Sequence, residues 1–358
     1  MEAILILSVA WLAFANGAND NFKGFATVWG SGTLDYRQAL FLATIATVAG
    51  SLLSWWLADG LVQQFSGKGL VANSATQSLS FIASVAMGAA VTVFLATRLG
   101  FPISTTHALI GGLVGAGAAQ AGGVHFAKLA DTFLLPLLTS PLIAAALGVL
   151  AYRLLKVRPN EADCACIAQE PVIAPAVVTA QRVSVMLPVV VIDKASECAQ
   201  AAMPVRFSIT KYLDRSHVGS AMAICLARGA NDTPKLVALL LMAHGFGNCY
   251  LSIVVIALAM ALGGILFARK VAQTMSQRVT KMDHTSGLAA NLITAILVLF
   301  ASKLGLPVST THVSVGAIAG VGASSRTLDW HALRNVLLSW VLTLPLAASA
   351  AWAMSRVL

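Results

Sequence analysis

A nine-residue string written twice constrains this chain more than any other feature. Leu99-Gly100-Phe101-Pro102-Ile103-Ser104-Thr105-Thr106-His107 returns as Leu304-Gly305-Leu306-Pro307-Val308-Ser309-Thr310-Thr311-His312, with two positions changed, both apolar for apolar. Each string runs into small residues, Gly111, Gly112, Gly115 and Gly117 in the first copy and Gly316, Gly320 and Gly322 in the second. Proline presets φ for a helix start, and a Ser or Thr beside it caps the exposed N–H groups. Those N–H groups and the positive end of the helix dipole also make such a start an anion site. A chain with two of them is expected to be built from two copies of one unit and to handle an oxyanion.

A second duplication supports the first. Gly17-Ala18-Asn19-Asp20 with Lys23 matches Gly229-Ala230-Asn231-Asp232 with Lys235, an offset of 212 residues, against 205 for the proline strings. Arg98 and Lys303 stand four positions before the two prolines, and Pro141 and Pro345 fall in the last long apolar run of each half. The halves are expected at 1–155 and 215–358, with 156–214 between them. That middle stretch holds Pro159, Pro171, Pro175, Pro188 and Pro204, and its apolar runs, such as Val183 to Ile192, are too short to span a bilayer. It reads as a hydrophilic linker with some local strand or helix.

Composition decides the solvent. Only 10% of residues are charged and 58% are hydrophobic, where a soluble domain carries roughly 25% charged residues. Leu40–Leu57, Leu79–Ala96, Phe133–Leu150, Leu251–Phe267, Leu288–Ala301 and Val336–Met354 are the clearest apolar segments. Ala3–Ala15 lacks a basic flank and a small-residue cleavage site, so it reads as a retained helix. A net charge of +9 then reflects basic cytoplasmic loops rather than nucleic-acid binding. The five cysteines form no disulfide framework, and the lone Cys164-x-Cys166 pair gives no metal site. No cofactor is implied.

Charge also orients the halves. The loop from Gly60 to Ser78 carries only Lys68, whereas its counterpart carries Arg269, Lys270, Arg278 and Lys281. Under the positive-inside rule the two loops lie on opposite faces, as inverted copies require. The second loop and the linker then face the cytoplasm, both termini lie outside, and the fold is an all-α integral membrane protein of two inverted-topology repeats.

Ionisable residues at bilayer depth are costly and mark function. Asp20 and Lys23, like Asp232 and Lys235, share a helical face at a spacing of three, and the adjoining Gly17, Gly229 and Pro234 suggest broken helices with ion-binding ends. A tetrahedral oxyanion wants hydroxyls, N–H groups and a cation, which Ser104, Thr105, Thr106, Ser309, Thr310 and Thr311 and the nearby basic residues offer. His107 and His312 suit packing or proton relay. An anion channel would share the helix-start chemistry but has little use for paired buried charges. No Walker A loop, nucleophile elbow or H-x-x-E-H cluster is present, so the chain is not read as an enzyme.

The paired G-A-N-D and P-[IV]-S-T-T-H strings, in two halves around a hydrophilic linker, resemble the inorganic phosphate transporter (PiT) family. The resemblance covers both halves and implies secondary uptake of phosphate across the cytoplasmic (inner) membrane, through broken helices and re-entrant helical hairpins that meet mid-membrane. Some members similar in motif carry sulfate, which is the alternative substrate, and a homodimer stays open as an assembly. The resemblance assigns Asn19, Asp20, Asn231 and Asp232 to the cation and substrate region, and the six Ser and Thr residues to phosphate. One departure stands out. Sodium-coupled members carry an Asn three positions after the Asp, where this chain has Lys23 and Lys235. An ammonium has no acceptor for sodium, so proton coupling is expected, with Asp20, Lys23, Asp232 and Lys235 setting the charge.

Overall fold

The computed structural model describes residues 1–57, 59–65, 67, 69–120, 123–155, 164–175, 182–193, 206–242 and 249–358. They form two compact units, one of Met1–Leu154 with His217–Leu358 and one of Leu155–Ser216.

The larger unit is helical among its described residues, apart from two isolated bridges, Val71 to Val124 and Thr280 to Leu328. Helix α1 (Glu2–Asp20) passes through a tight turn at Lys23–Phe25 into α2 (Ala26–Gly30). Then come α3 (Tyr36–Leu57), α4 (Leu79–Leu99), α5 (Thr105–Ala118) and α6 (Leu135–Leu155). The second half repeats the order with α7 (Ile209–Met242), α8 (Cys249–Phe267), α9 (His284–Lys303), α10 (Thr310–Ser325) and α11 (Trp330–Ser355). Seven helical stretches among the described residues are long and apolar enough to cross a membrane, and they cover the seven apolar runs of the sequence. Large apolar side chains such as Trp56, Leu142, Leu258, Ile296 and Val341 point outward, as a hydrocarbon solvent requires.

Helix α7 has no counterpart among the apolar runs, because Arg228, Asp232 and Lys235 interrupt its hydropathy. It also runs unbroken through Pro234, where the sequence suggested a break. Only the first copy opens, between Asp20 and Ala26. Pro234 does remove one helical donor, but Asp232 and Lys235 on either side of it are tied to each other and to other helices, which holds the turn.

Both proline strings are reached by the same turn. Gly100 (φ 82°) and Gly305 (φ 67°) sit in the left-handed region that glycine tolerates. Phe101 and Leu306 donate back to Ala96 and Ala301 at 2.9 Å, the six-to-one bond of a Schellman ending. Four extended residues later, α5 and α10 begin. At 14 residues α5 is about 21 Å long, short of the roughly 30 Å of a bilayer core.

The halves interlock. Helix α11 packs along α4 and α5 of the first half, with Gly111 against Leu344 and Gly115 against Ala348. Helix α6 meets α10 in the same way, with Gly316 against Pro141 and Gly320 against Ala145. Neither short helix is covered by its own half alone.

The smaller unit holds a three-stranded antiparallel sheet of order β2–β1–β3, from β1 (Cys164–Pro175), β2 (Arg182–Asp193) and β3 (Arg206–Ser208). Register pairs Cys164 with Asp193 on one side and with Ser208 on the other. The apolar run from Val183 to Ile192 is thus a strand. Cys164 and Cys166 alternate with Ala165 along β1, and the side chain of Cys166 lies outside the described residues.

Candidate functional site

The two Ser-Thr-Thr strings start helices as their chemistry predicts. Ser104 and Ser309 are the N-caps of α5 and α10, and their Oγ atoms accept from His107 N at 3.1 Å and His312 N at 3.2 Å. A hydroxyl that accepts in this way keeps its own hydrogen to donate. Behind each cap, the first-turn N–H groups of Thr105 and Thr106, and of Thr310 and Thr311, have no intrahelical acceptor by construction. All six Ser and Thr residues are buried.

The acidic motifs come to the same place because their glycines let helices close in. A Cβ on Gly17 would lie 1.9 Å from Met260 O in α8, and one on Gly229 would lie 2.2 Å from Thr47 O in α3. Each motif helix is thereby pressed onto a helix of the opposite half. Asp20, Lys23, Asp232 and Lys235 are each 3% exposed or less.

The two lysines are held in matching cages. Lys23 Nζ donates to Asp20 Oδ1 and Thr311 Oγ1, and to Ile103 O at 2.8 Å. Lys235 Nζ donates to Asp232 Oδ1 at 3.1 Å, Thr106 Oγ1 at 2.9 Å and Val308 O at 3.2 Å. An ammonium has three N–H donors, and in each case all three are taken. The partners are a carboxylate of its own motif, a carbonyl of its own half's proline string and a threonine hydroxyl of the other half. The threonines close the triangles, Thr311 donating to Ile103 O at 2.9 Å and Thr106 to Val308 O at 3.3 Å.

The asparagines of the motifs serve as ties. Asn19 donates to Thr97 Oγ1 at 2.9 Å and Phe101 O at 3.0 Å, and accepts from Ile103 N at 3.2 Å. Asn231 donates to Asp232 Oδ1 at 3.1 Å and accepts from Ser302 Oγ at 3.0 Å. Both bind the end of the span before the proline string, and Asn19 also holds the string itself through Phe101 and Ile103.

Two residues that sequence reading passed over complete the cluster. Arg228 and Asn16 each precede the glycine of a Gly-Ala-Asn-Asp string, and they meet directly, Arg228 donating to Asn16 Oδ1 at 2.8 Å. Asn16 Nδ2 donates to Thr105 Oγ1 at 2.9 Å, to Asp232 Oδ2 at 3.3 Å and to Asp20 Oδ2 at 3.4 Å. Arg228 also lies 3.5 Å from Asp232 Oδ2 and is 1% exposed. The signal for them was a polar residue before the glycine in both copies, inside an otherwise apolar run. His107 and His312 also meet, with ring centroids 4.5 Å apart, and Trp340 covers His312 while donating to Pro102 O at 3.0 Å.

Two basic residues go elsewhere. Arg98 and Lys303, read from sequence as cations beside the anion site, are exposed. Each falls on the outer side of its helix, and Arg98 lies over the Phe267 ring instead. Among the described residues the buried charges are therefore three cations, Lys23, Lys235 and Arg228, against two carboxylates, Asp20 and Asp232. In ordinary ionisation states this leaves one positive charge beside two helix N-termini, which is chemistry for an anion. Among the described residues no group of three or more His, Cys, Asp or Glu is placed to hold a metal ion.

Comparison with known proteins gives one consistent result. Residues 16–351 match the model of the phosphate transporter family. A protein of Mycobacterium bovis named as a low-affinity inorganic phosphate transporter is 29% identical, covering 96% of this chain and 75% of its own length. The chloroplastic inorganic phosphate transporter 2-1 of Arabidopsis thaliana is 27% identical, covering 97% and 71%. Among solved structures, the sodium-dependent phosphate transporter shares the fold with a TM-score of 0.78 at 20% identity, over 99% of this chain and 98% of that one.

Proposed function

Because the chain belongs to the phosphate transporter family, whose members are membrane transporters and not enzymes, we propose that it imports inorganic phosphate across the cytoplasmic membrane by proton-coupled alternating access. Phosphate sits between the starts of α5 and α10, held by first-turn N–H groups and by the hydroxyls of Ser104, Thr105, Ser309 and Thr310, while Thr106 and Thr311, whose hydrogens go to Val308 O and Ile103 O, brace the two strings around it. Asn19 and Asn231 fix the two helix starts around it. The buried site's single positive charge favours the anion. Relatives named as inorganic phosphate transporters support phosphate over sulfate.

The observation that carries the coupling argument is the pair of lysine cages. Each ammonium is surrounded by a carboxylate, a hydroxyl and a backbone carbonyl, an all-oxygen environment of the kind that suits a hard cation. Lys23 and Lys235 are thus cations that the protein carries with it, occupying places where a free sodium ion would otherwise neutralise Asp20 and Asp232. With their N–H groups already taken, they hold the carboxylates and the two strings together rather than grip the substrate. Sodium has no role at either place, and the driving ion is the proton.

The rest of the architecture follows this reading. Residues 1–155 and 215–358 are inverted repeats whose short helices α5 and α10 are re-entrant, and 156–214 is a cytoplasmic linker. The basic stretch from Arg269 to Lys281 faces the cytoplasm and both termini lie outside. Access alternates as one bundle moves against the other around the central site.

The test is radiolabelled phosphate uptake into proteoliposomes, with sodium replaced by choline and with an imposed proton gradient. Uptake should be indifferent to sodium, follow the proton gradient, be collapsed by a protonophore and be left intact by excess sulfate. A large loss in choline would overturn the coupling, and competition by sulfate would overturn the substrate.

A further inference from the structure

An apolar groove runs between α4 of the first half and α11 of the second. It encloses about 410 Å³ and is walled by Val91, Leu95 and Leu99 on one side and by Leu338, Leu342 and Leu346 on the other. That volume falls in the range of sites that bind small molecules. Along α11 it extends from Asn335 to Ala350, about 22 Å at 1.5 Å per residue. One leaflet supplies only half of a hydrocarbon core roughly 30 Å thick, so the groove is long enough for a whole acyl chain. Three hydroxyl residues line it, yet each gives its hydrogen to its own helix. Thr92 donates to Gly88 O at 2.8 Å, Ser339 to Val336 O at 2.6 Å and Thr343 to Ser339 O at 2.6 Å. Along its length the groove therefore presents hydrocarbon and committed hydroxyls.

One end differs. The two helices run antiparallel, with Gly88 on Ala351 and Trp340 donating to Pro102 O, so the end of α4 and the start of α11 lie together. Asn335 lines the groove there, Arg98 stands beside Leu99 in the last turn of α4, and Lys270 Nζ donates to Arg98 O at 2.9 Å. Through Leu338 the groove continues into a depression of about 220 Å³ lined by Arg334 and Trp330. Arg98, Lys270 and Arg334 are all exposed. Asp329 is turned to the cap of α11, accepting from His331 N at 2.8 Å and Ala332 N at 3.0 Å. Tryptophan and basic residues at the end of a span belong at headgroup level.

The other half supplies the comparison. Gly111 packs on Leu344 as Gly316 packs on Pro141, a shift of 203 residues that sets Asp131 in the place of Arg334, while Lys303 takes the place of Arg98. There the two helices carry one base and one acid; here they carry two bases. An anionic headgroup gains from that difference.

We propose that the groove holds one acyl chain of an anionic phospholipid, with its phosphate at Arg98 and Arg334, and that this lipid supports the first proline string. Phe101 and Ile103 line the groove as well. Asn19 donates to Phe101 O, and both Lys23 and Thr311 donate to Ile103 O. A chain lying on these two side chains therefore bears on the backbone that closes one lysine cage. The support role rests on the phosphate-transport reading above; the binding itself does not.

The test begins with the purified chain titrated with phosphatidylglycerol or with phosphatidylcholine of the same acyl chains, bound lipid being counted by native mass spectrometry. Phosphatidylglycerol should bind at least about tenfold more tightly, and Arg98→Gln with Arg334→Gln should erase the preference while phosphatidylcholine binding stays within about twofold. Leu95→Trp, which fills the groove, should weaken both lipids, and excess inorganic phosphate should displace neither. Phosphate–phosphate exchange should then run at least about threefold faster when phosphatidylglycerol is added to phosphatidylcholine vesicles, and the double variant should lose that gain. Equal binding of the two lipids, displacement by phosphate or a preference that survives the double substitution would overturn the assignment. So would a lipid-free dimer broken by Leu95→Trp, which would make the groove a face between two copies. Equal exchange in both kinds of vesicle would overturn the support role. Exchange absent from every vesicle, with the lipid preference intact, would instead overturn the transport reading.

Discussion

Replacing Lys23 by Asn turns a cation-holding cage into an ion-binding one, and the consequence can be worked through. Asp20 has Lys23 as its ion-pair partner, and its other bonds, from Asn16 and Thr105, are both 3.4 Å long. Removing one member of a buried pair costs about 3–5 kcal/mol, because the other charge stays behind. For 358 residues, with an unfolding entropy of about 2.1 cal/mol/K per residue, that lowers Tm by about 4–7 °C. The new Asn offers an amide oxygen beside Asp20 Oδ1, Ile103 O and Thr311 Oγ1, an oxygen set that suits sodium. Sodium at ten times a dissociation constant of about 10 mM would restore about 1.4 kcal/mol, or about 2 °C. The assay is thermal unfolding of purified Lys23→Asn in sodium against choline, with the unmodified protein beside it. Lys235→Asn should lose less, since Asp232 keeps Arg228 at 3.5 Å. Equal Tm in both salts for Lys23→Asn, or a sodium shift of the same size in the unmodified protein, would refute the cage argument.

Other expectations come from the same geometry. Asp20→Asn or Asp232→Asn leaves a caged ammonium without its carboxylate and should abolish gradient-driven uptake, measured in proteoliposomes; an unchanged rate and pH profile would remove these residues from coupling. Thr105→Val combined with Thr310→Val takes a hydroxyl from each helix start and should raise the KM for phosphate about tenfold, the effect of losing about 1.4 kcal/mol of hydrogen bonding. Gly17→Ala places a methyl 1.9 Å from Met260 O, and since backbone cannot move aside cheaply the variant should lose about 3 kcal/mol or more, read as loss of folded protein on size exclusion.

What could be read from the residues alone divides along physical lines. The membrane spans, the helix starts after Pro102 and Pro307 and the burial of both Asp–Lys pairs were legible, because hydropathy, capping and charge act locally. The partners of those pairs were not. Thr311 reaches Lys23 and Thr106 reaches Lys235 across the two halves, and no local pattern states which strand of sequence will arrive opposite. Arg98 and Lys303 were misjudged for the same reason, since spacing from a proline does not tell which side of a helix faces the interior. Pro234 misled because intrinsic propensity weighs one lost donor, while the ties around it decide whether the turn holds. Arg228 and Asn16 were hidden by being unlike each other: a search for identical repeats skips a position that the two copies fill with different polar residues.

The interlocking of the halves also sets the order in which the protein can be made. Helix α5 buries Gly111 and Gly115 against α11, yet Ala118 and Trp330 are separated by more than half the chain. At about 5–20 residues per second, α5 leaves the ribosome roughly 10–40 s before its cover is synthesised. During that interval its serines and threonines must wait in the lipid bilayer, beside the insertion machinery or under a chaperone. The packing around α5 is therefore completed only by α11, and a chain cut short before Trp330 carries α5 but has nothing to cover Gly111 and Gly115.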